Sequence, residues 1–155
     1  MKKIFVLLIL LFTCNRISVE AYLPTNPSKE AQEALQQEQV CMARALYHEA
    51  RNQPVEGIRA VFEVIVNRSN KSGESWCATI SKRKQFSFLN SGKIKLYTPM
   101  QEEEKRLLNS VKTLDNIFCG DVLFYHTTYV KPIWTKRLQV EKKIGRHIFY
   151  KLKEK

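Results

Sequence analysis

Apolar residues recur at helical spacing from Val40 onward. Ala43, Leu46, Tyr47 and Ala50 form one stripe, and Glu49 sits on its flank, three residues past Leu46. Asn52-Gln53-Pro54 interrupts that helix, and Pro54 opens a second one. Its Ile58, Val61, Phe62, Ile65 and Val66 make a broad apolar face, the predicted core. Upstream, residues 22–39 are polar and read as a solvated lead-in, in which Ser28 caps a helix entering through Lys29-Glu30-Ala31. Residues 76–80 and 86–89 are short apolar pieces split by Ser81-Lys82-Arg83-Lys84, and they are expected to form loop with little regular structure. Thr98-Pro99-Met100-Gln101 has a capping-box arrangement ahead of a helix that turns Leu107, Leu108 and Val111 inward. Residues 122–126 predict a buried strand. Alternation over 138–144, a turn at Gly145-Arg146 and the run His147-Ile148-Phe149-Tyr150 predict a terminal hairpin. The fold class is therefore α+β, a single domain with a helical core and a small C-terminal hairpin or sheet.

The start of the chain changes the compartment. Lys2 and Lys3 precede an apolar run over 4–12, and Val19-Glu20-Ala21 has small residues where a signal peptidase reads them. Residues 1–21 thus read as a secretory signal, 22–39 as the lead-in and 40–155 as the functional domain. The apolar run is about half of the ~20 residues a membrane span needs. Lipidation at Cys14 and an uncleaved tether are the alternatives to release. The chain carries +11, of which residues 1–21 hold +2, so a mature form keeps +9. Such a charge steers polyanions toward the protein, and export favours an anionic cell envelope over nucleic acid. Cys41, Cys77 and Cys119 survive cleavage, so in an oxidising compartment two pair and one is left over; sequence does not say which.

Candidate chemistry begins with Glu49. Burial beside an apolar helical turn raises a carboxyl pKa, and the break at Asn52-Gln53-Pro54 places this one at a helix end that substrates can reach. Arg51 close to it would lower that pKa, so an acid role requires Arg51 to point elsewhere. His48-Glu49 starts a zinc-protease motif, but Asn52 stands where the second histidine is needed. A zinc site would have to be drawn from His48, His126 and His147, all the histidines present. No metal or cofactor is expected. Tyr129 and Trp134, around Lys131-Pro132, are aromatic rings in a basic loop suited to stacking on sugar faces, and Lys82-Arg83-Lys84 adds a weak attraction for anions.

One long string carries a resemblance: Tyr47-x-Glu49-Ala50-Arg51-x-x-Pro54-x-x-Gly57-x-x-Ala60-Val61-x-x-Val64-x-x-Asn67-Arg68. Cys77, Gln85-Phe86-Ser87, Tyr125-His126, Trp134 and Ile144-Gly145-x-His147-Ile148-Phe149 follow in order. Over about residues 40–150 the chain resembles the SleB-type cell wall hydrolases. The resemblance implies a lysozyme-like, peptidoglycan-cleaving domain with Glu49 as catalytic acid. It favours Gln85 and Tyr125 for holding sugar, with Ser87, Thr127 and Trp134 as further substrate-binding candidates. Where the family continues Gly-Glu-Pro after Glu-Ala-Arg, this chain has Asn52 and Gln53, so a second catalytic carboxylate is missing from that place.

Ordinary glycoside hydrolysis needs two carboxylates. A lytic transglycosylase needs one, because the C6 hydroxyl of the muramyl sugar replaces water, and that is the expected reaction. The expected partner is a peptidoglycan glycan strand in the anionic envelope, bound by a monomer without nucleic acid. Two rivals differ in kind: a zinc-dependent N-acetylmuramoyl-L-alanine amidase, and a non-enzymatic basic module binding envelope or nucleic acid.

Overall fold

The computed structural model describes residues 28–82, 86–89, 95–96 and 98–153. The expected signal segment, the start of the lead-in and Gln85 lie outside the described residues. Helix α1 (Lys29–Ala50) starts at Ser28, whose hydroxyl accepts from the Ala31 amide at 3.3 Å. Its first half is mostly exposed and its second is buried from Val40, so the polar lead-in and the core stripe are one helix. Helix α2 (Val55–Ser72) follows Pro54, which is its cap residue. Ile58, Val61, Phe62, Ile65 and Val66 are all buried as the pattern predicts.

Three expectations are corrected. The segment after Gly73 is not plain loop: Trp76–Ser81 forms the short helix α3 and Ser87–Leu89 a single 3-10 turn. Six residues are too few to show a period, and the order comes from tertiary ties. Ser75 Oγ caps the Ala78 amide at 3.2 Å, Glu38 Oε2 accepts from the Cys77 amide at 3.0 Å, and a Cys41–Cys77 disulfide joins α3 to α1. Closing a loop 36 residues apart stabilises the fold by about 4 kcal/mol on chain-entropy grounds. Among the described residues no cysteine is free, so the leftover thiol expected from an odd count is not found. The capping box also lies three residues later than expected. Gln101 caps helix α4 (Glu102–Lys112), its amide donating to Glu104 Oε2 at 2.9 Å, while Thr98 is held by Arg44 instead.

The sheet has order β1-β3-β2, all antiparallel, from β1 (Val122–Thr127), β2 (Leu138–Ile144) and β3 (His147–Leu152). The predicted hairpin is β2-β3. Alternation in β2 does not become burial: Ile144 alone is buried, and a bulge between Val140 and Lys142 breaks the register of this edge strand.

The hairpin turn is fastened to the α1–α2 connection. Arg146 N donates to Gln53 Oε1 at 2.9 Å, and Gly145 adopts φ 54° directly against Gln53 and Pro54. A Cβ at Gly145 would lie 2.5 Å from Gln53 Oε1 and 2.9 Å from Pro54 Cδ. Gly145→Ala is therefore expected to cost at least ~1–2 kcal/mol from the left-handed backbone alone, with the clash added. Urea unfolding measures it, and an unchanged midpoint would contradict this account.

Candidate active site

Glu49 ends α1 with its side chain half-buried, facing the sheet. Tyr125 Oη, from β1, donates to Glu49 Oε2 at 3.1 Å. Burial raises the Glu49 pKa above its ordinary value; the Tyr125 hydrogen bond and the charge of Arg68 oppose that shift without cancelling it. The Tyr125 hydroxyl is itself pushed well above the usual phenol range, first by burial and then by the Glu49 charge, so it stays a proton donor. Arg51 points elsewhere, as an acid at Glu49 requires. Its Nη1 donates to the Tyr47 carbonyl at 3.3 Å and its guanidinium lies 4.7 Å from the Tyr47 ring centre.

Two residues complete the setting that spacing alone did not assign, although both stand in the matched motifs. Arg68, on α2, donates through Nε to the Leu123 carbonyl at 2.7 Å and supplies the nearest cationic influence on Glu49. His147, on β3, is buried with its ring 5.1 Å from that of Tyr125, and Nδ1 has no partner among the described residues. Burial above all, then the charges of Arg146 and His126, lowers its pKa to about 4, so near neutral pH it is an uncharged backing for the phenol.

The other buried carboxylates are committed to structure. Glu63 accepts from Arg59 Nε at 2.9 Å and from the amides of Ile117 and Phe118. Glu104 accepts from Arg44 Nε at 3.0 Å and Nη2 at 3.1 Å. Glu49 differs from both in accepting from a phenol, with the charge of Arg68 acting on it less strongly than burial.

The remaining sequence candidates fall unevenly around this acid. Thr127 is two residues along β1 from Tyr125 and so shares its side of the sheet. Ser87 is exposed on the 3-10 turn, whose neighbours Phe86 and Phe88 pack toward Arg68 and His48 respectively. Trp134 stands among Phe124, His126 and Tyr150, with centroids 5.7–6.0 Å apart. The side-chain oxygen of Gln53 accepts from the Arg146 amide at 2.9 Å. The three histidines have separate duties. His48 stacks on Phe88, His147 backs Tyr125, and His126 donates from Nδ1 to the Thr127 carbonyl while Nε2 accepts from Tyr150 Oη. Among the described residues, no three His, Cys, Asp or Glu side chains are grouped to hold a metal ion.

Residues 52–150 match the cell wall hydrolase family. The chain belongs to it. Spore cortex-lytic enzymes of Bacillus cereus and Oceanobacillus iheyensis are each 36% identical to this cell wall hydrolase over 115 residues, 71% of its length. That aligned stretch is 42% and 40% of those relatives, so the chain spans about two-fifths of their length. The catalytic domain of the germination-specific lytic transglycosylase SleB from Bacillus anthracis superposes with TM-score 0.60 at 28% identity, covering 83% of this chain and 100% of that one. The Bacillus cereus SleB catalytic domain gives 0.61 at 27%, with 83% and 95% covered. The α+β, lysozyme-like fold of this hydrolase is that of the SleB domains.

Proposed function

We propose that this cell wall hydrolase cuts the glycan strand of peptidoglycan at the muramyl glycosidic bond as a lytic transglycosylase. The observation that carries the reading is the half-buried Glu49 carboxyl, held by one phenol and raised in pKa, with no arginine paired to it among the described contacts. Glu49 gives its proton to the bridging oxygen as the C1–O bond breaks. Positive charge builds on the sugar ring, and the carboxylate left behind takes the proton of the C6 hydroxyl as that oxygen closes on C1. The product is an anhydro sugar, and no second carboxylate is required. Tyr125 steadies the carboxylate by hydrogen bonding, and Gln85, Ser87, Thr127 and Trp134 are assigned to holding sugar.

Digestion of purified peptidoglycan followed by mass spectrometry tests the reaction. Anhydromuramyl ends are expected, reducing ends would mean water attacks instead, and new amino groups with chelator sensitivity would replace the reading with the amidase. Export through residues 1–21 belongs to the same proposal. N-terminal sequencing of the secreted protein is expected to begin at Tyr22.

Tyr125→Phe separates positioning from packing. Because the hydroxyl lowers the Glu49 pKa, its loss raises that pKa further. The alkaline limb of the rate profile, where Glu49 ionises and ceases to be an acid, should move to higher pH, with a rate loss of about tenfold. A limb that stays in place or moves to lower pH would refute the assigned bond.

A further inference from the structure

Beside Tyr125 opens a groove of about 890 Å³ whose character is not that of a neutral sugar cleft. Arg68, Lys71, Lys82 and Arg137 line it, and among the described residues no Asp or Glu does. Arg68 is engaged with the Leu123 carbonyl and Lys82 is paired with Glu74. Lys71, in the last turn of α2, and Arg137, at the end of the 3-10 turn over Ile133–Arg137, are exposed. Neither makes an ion pair among the described residues. Trp134 and Phe124 give the same groove an apolar flank. Two cations from separate elements, neither in an ion pair among the described residues, face one groove that Tyr125 also lines, which suits a ligand that is anionic away from the reacting bond and partly apolar along its length.

Resting on the glycan-cleaving reading, we propose that this groove binds the peptide stem carried by the lactyl group of the muramyl sugar, with Lys71 and Arg137 engaging its carboxylates. Two or three extended residues at ~3.4 Å each are on the order of 10 Å long, a length that a groove of this volume accommodates. The stem leaves the sugar on the ring that bears the scissile carbon, and Tyr125, which holds Glu49, is among the residues lining the groove. The enzyme then prefers stem-bearing over stem-free strands, and the preference is electrostatic.

The test compares two substrates free of phosphate polymers: stem-bearing glycan strands, and the same strands stripped of stems by an amidase. For the wild type, KM is expected to be about tenfold lower on the stem-bearing strands. Lys71→Gln/Arg137→Gln, checked by circular dichroism, is expected to raise KM on stem-bearing strands by about tenfold with kcat within twofold, to shift KM on stripped strands by less than twofold, and to lose most of the salt dependence of KM. Equal wild-type KM values on the two substrates, or a variant that weakens both alike, would overturn the stem subsite while leaving glycan cleavage in place. A variant defect seen only on sacculi carrying phosphate polymers would overturn it in favour of a phosphate ligand. Failure of the wild type on both substrates would overturn the glycan-cleaving reading itself.

Discussion

Glu49→Gln is expected to lose 10²- to 10⁴-fold in turnover on peptidoglycan while remaining folded, the range a general acid supplies, or roughly 3–5 kcal/mol of barrier. Glutamine keeps the shape and can still accept from Tyr125 Oη, so the loss reads the missing proton rather than a missing contact. Stability supplies an independent check. The folded-state pKa of Glu49 is raised by burial, so the fold favours the neutral carboxyl, and the stability this contributes is lost as pH rises through that pKa. A neutral glutamine removes that loss, and above the pKa the variant should therefore be at least as stable as the wild type by urea unfolding. A folded variant of near-normal activity would end the acid assignment, and an unfolded one would show that Glu49 serves the structure.

Arg44→Met is expected to be the most destabilising of these changes, by about 3–5 kcal/mol at neutral pH. Arg44 is buried on α1, and its guanidinium reaches the carbonyls of Lys95, Leu96, Thr98 and Pro99, the Thr98 hydroxyl and both oxygens of Glu104. Methionine matches the bulk but leaves those acceptors facing an apolar side chain and a buried carboxylate without its cation. Burial pushes the Glu104 carboxyl up, but Arg44 and the Gln101 amide outweigh it and hold the pKa below the usual carboxylate value. A depressed pKa contributes stability that is present above the unfolded-state value and fades as pH falls through the folded one. The deficit of Arg44→Met should accordingly shrink in acid, where Glu104 takes a proton. A deficit that does not change between neutral and acidic pH would place the effect in packing.

How much the sequence revealed depends on how local the cause was. The α1 stripe, the α2 face and the β2-β3 hairpin were legible because each is a long periodic or turn-bounded signal. Helix α3 was not, since its order comes from a disulfide and a Glu38 contact with residues far away in sequence. The capping box was displaced because Thr98 and Gln101 both have suitable side chains, and only the pull of Arg44 on Thr98 decides between them. At the site, the partial burial of Glu49 on the flank of the α1 stripe was legible, and Arg51 turns to the Tyr47 carbonyl, which leaves room for the acid role proposed for Glu49. The work of Arg68 and His147 was not legible: each acts across the α2–β1 or β1–β3 contact, and spacing along one chain carries no information about what crosses a sheet. Nor was the use of Gln53, whose side-chain oxygen holds the hairpin turn 93 residues away.

Glu49 and Tyr125 are 76 residues apart, so the bond that holds the carboxyl forms only once β1 has met the end of α1. Before that strand docks, position 49 is an ordinary solvated glutamate, ionised at neutral pH and unable to give up a proton. A chain still on the ribosome thus lacks the assembled carboxyl–phenol pair. The order of synthesis therefore sets when that pair can form.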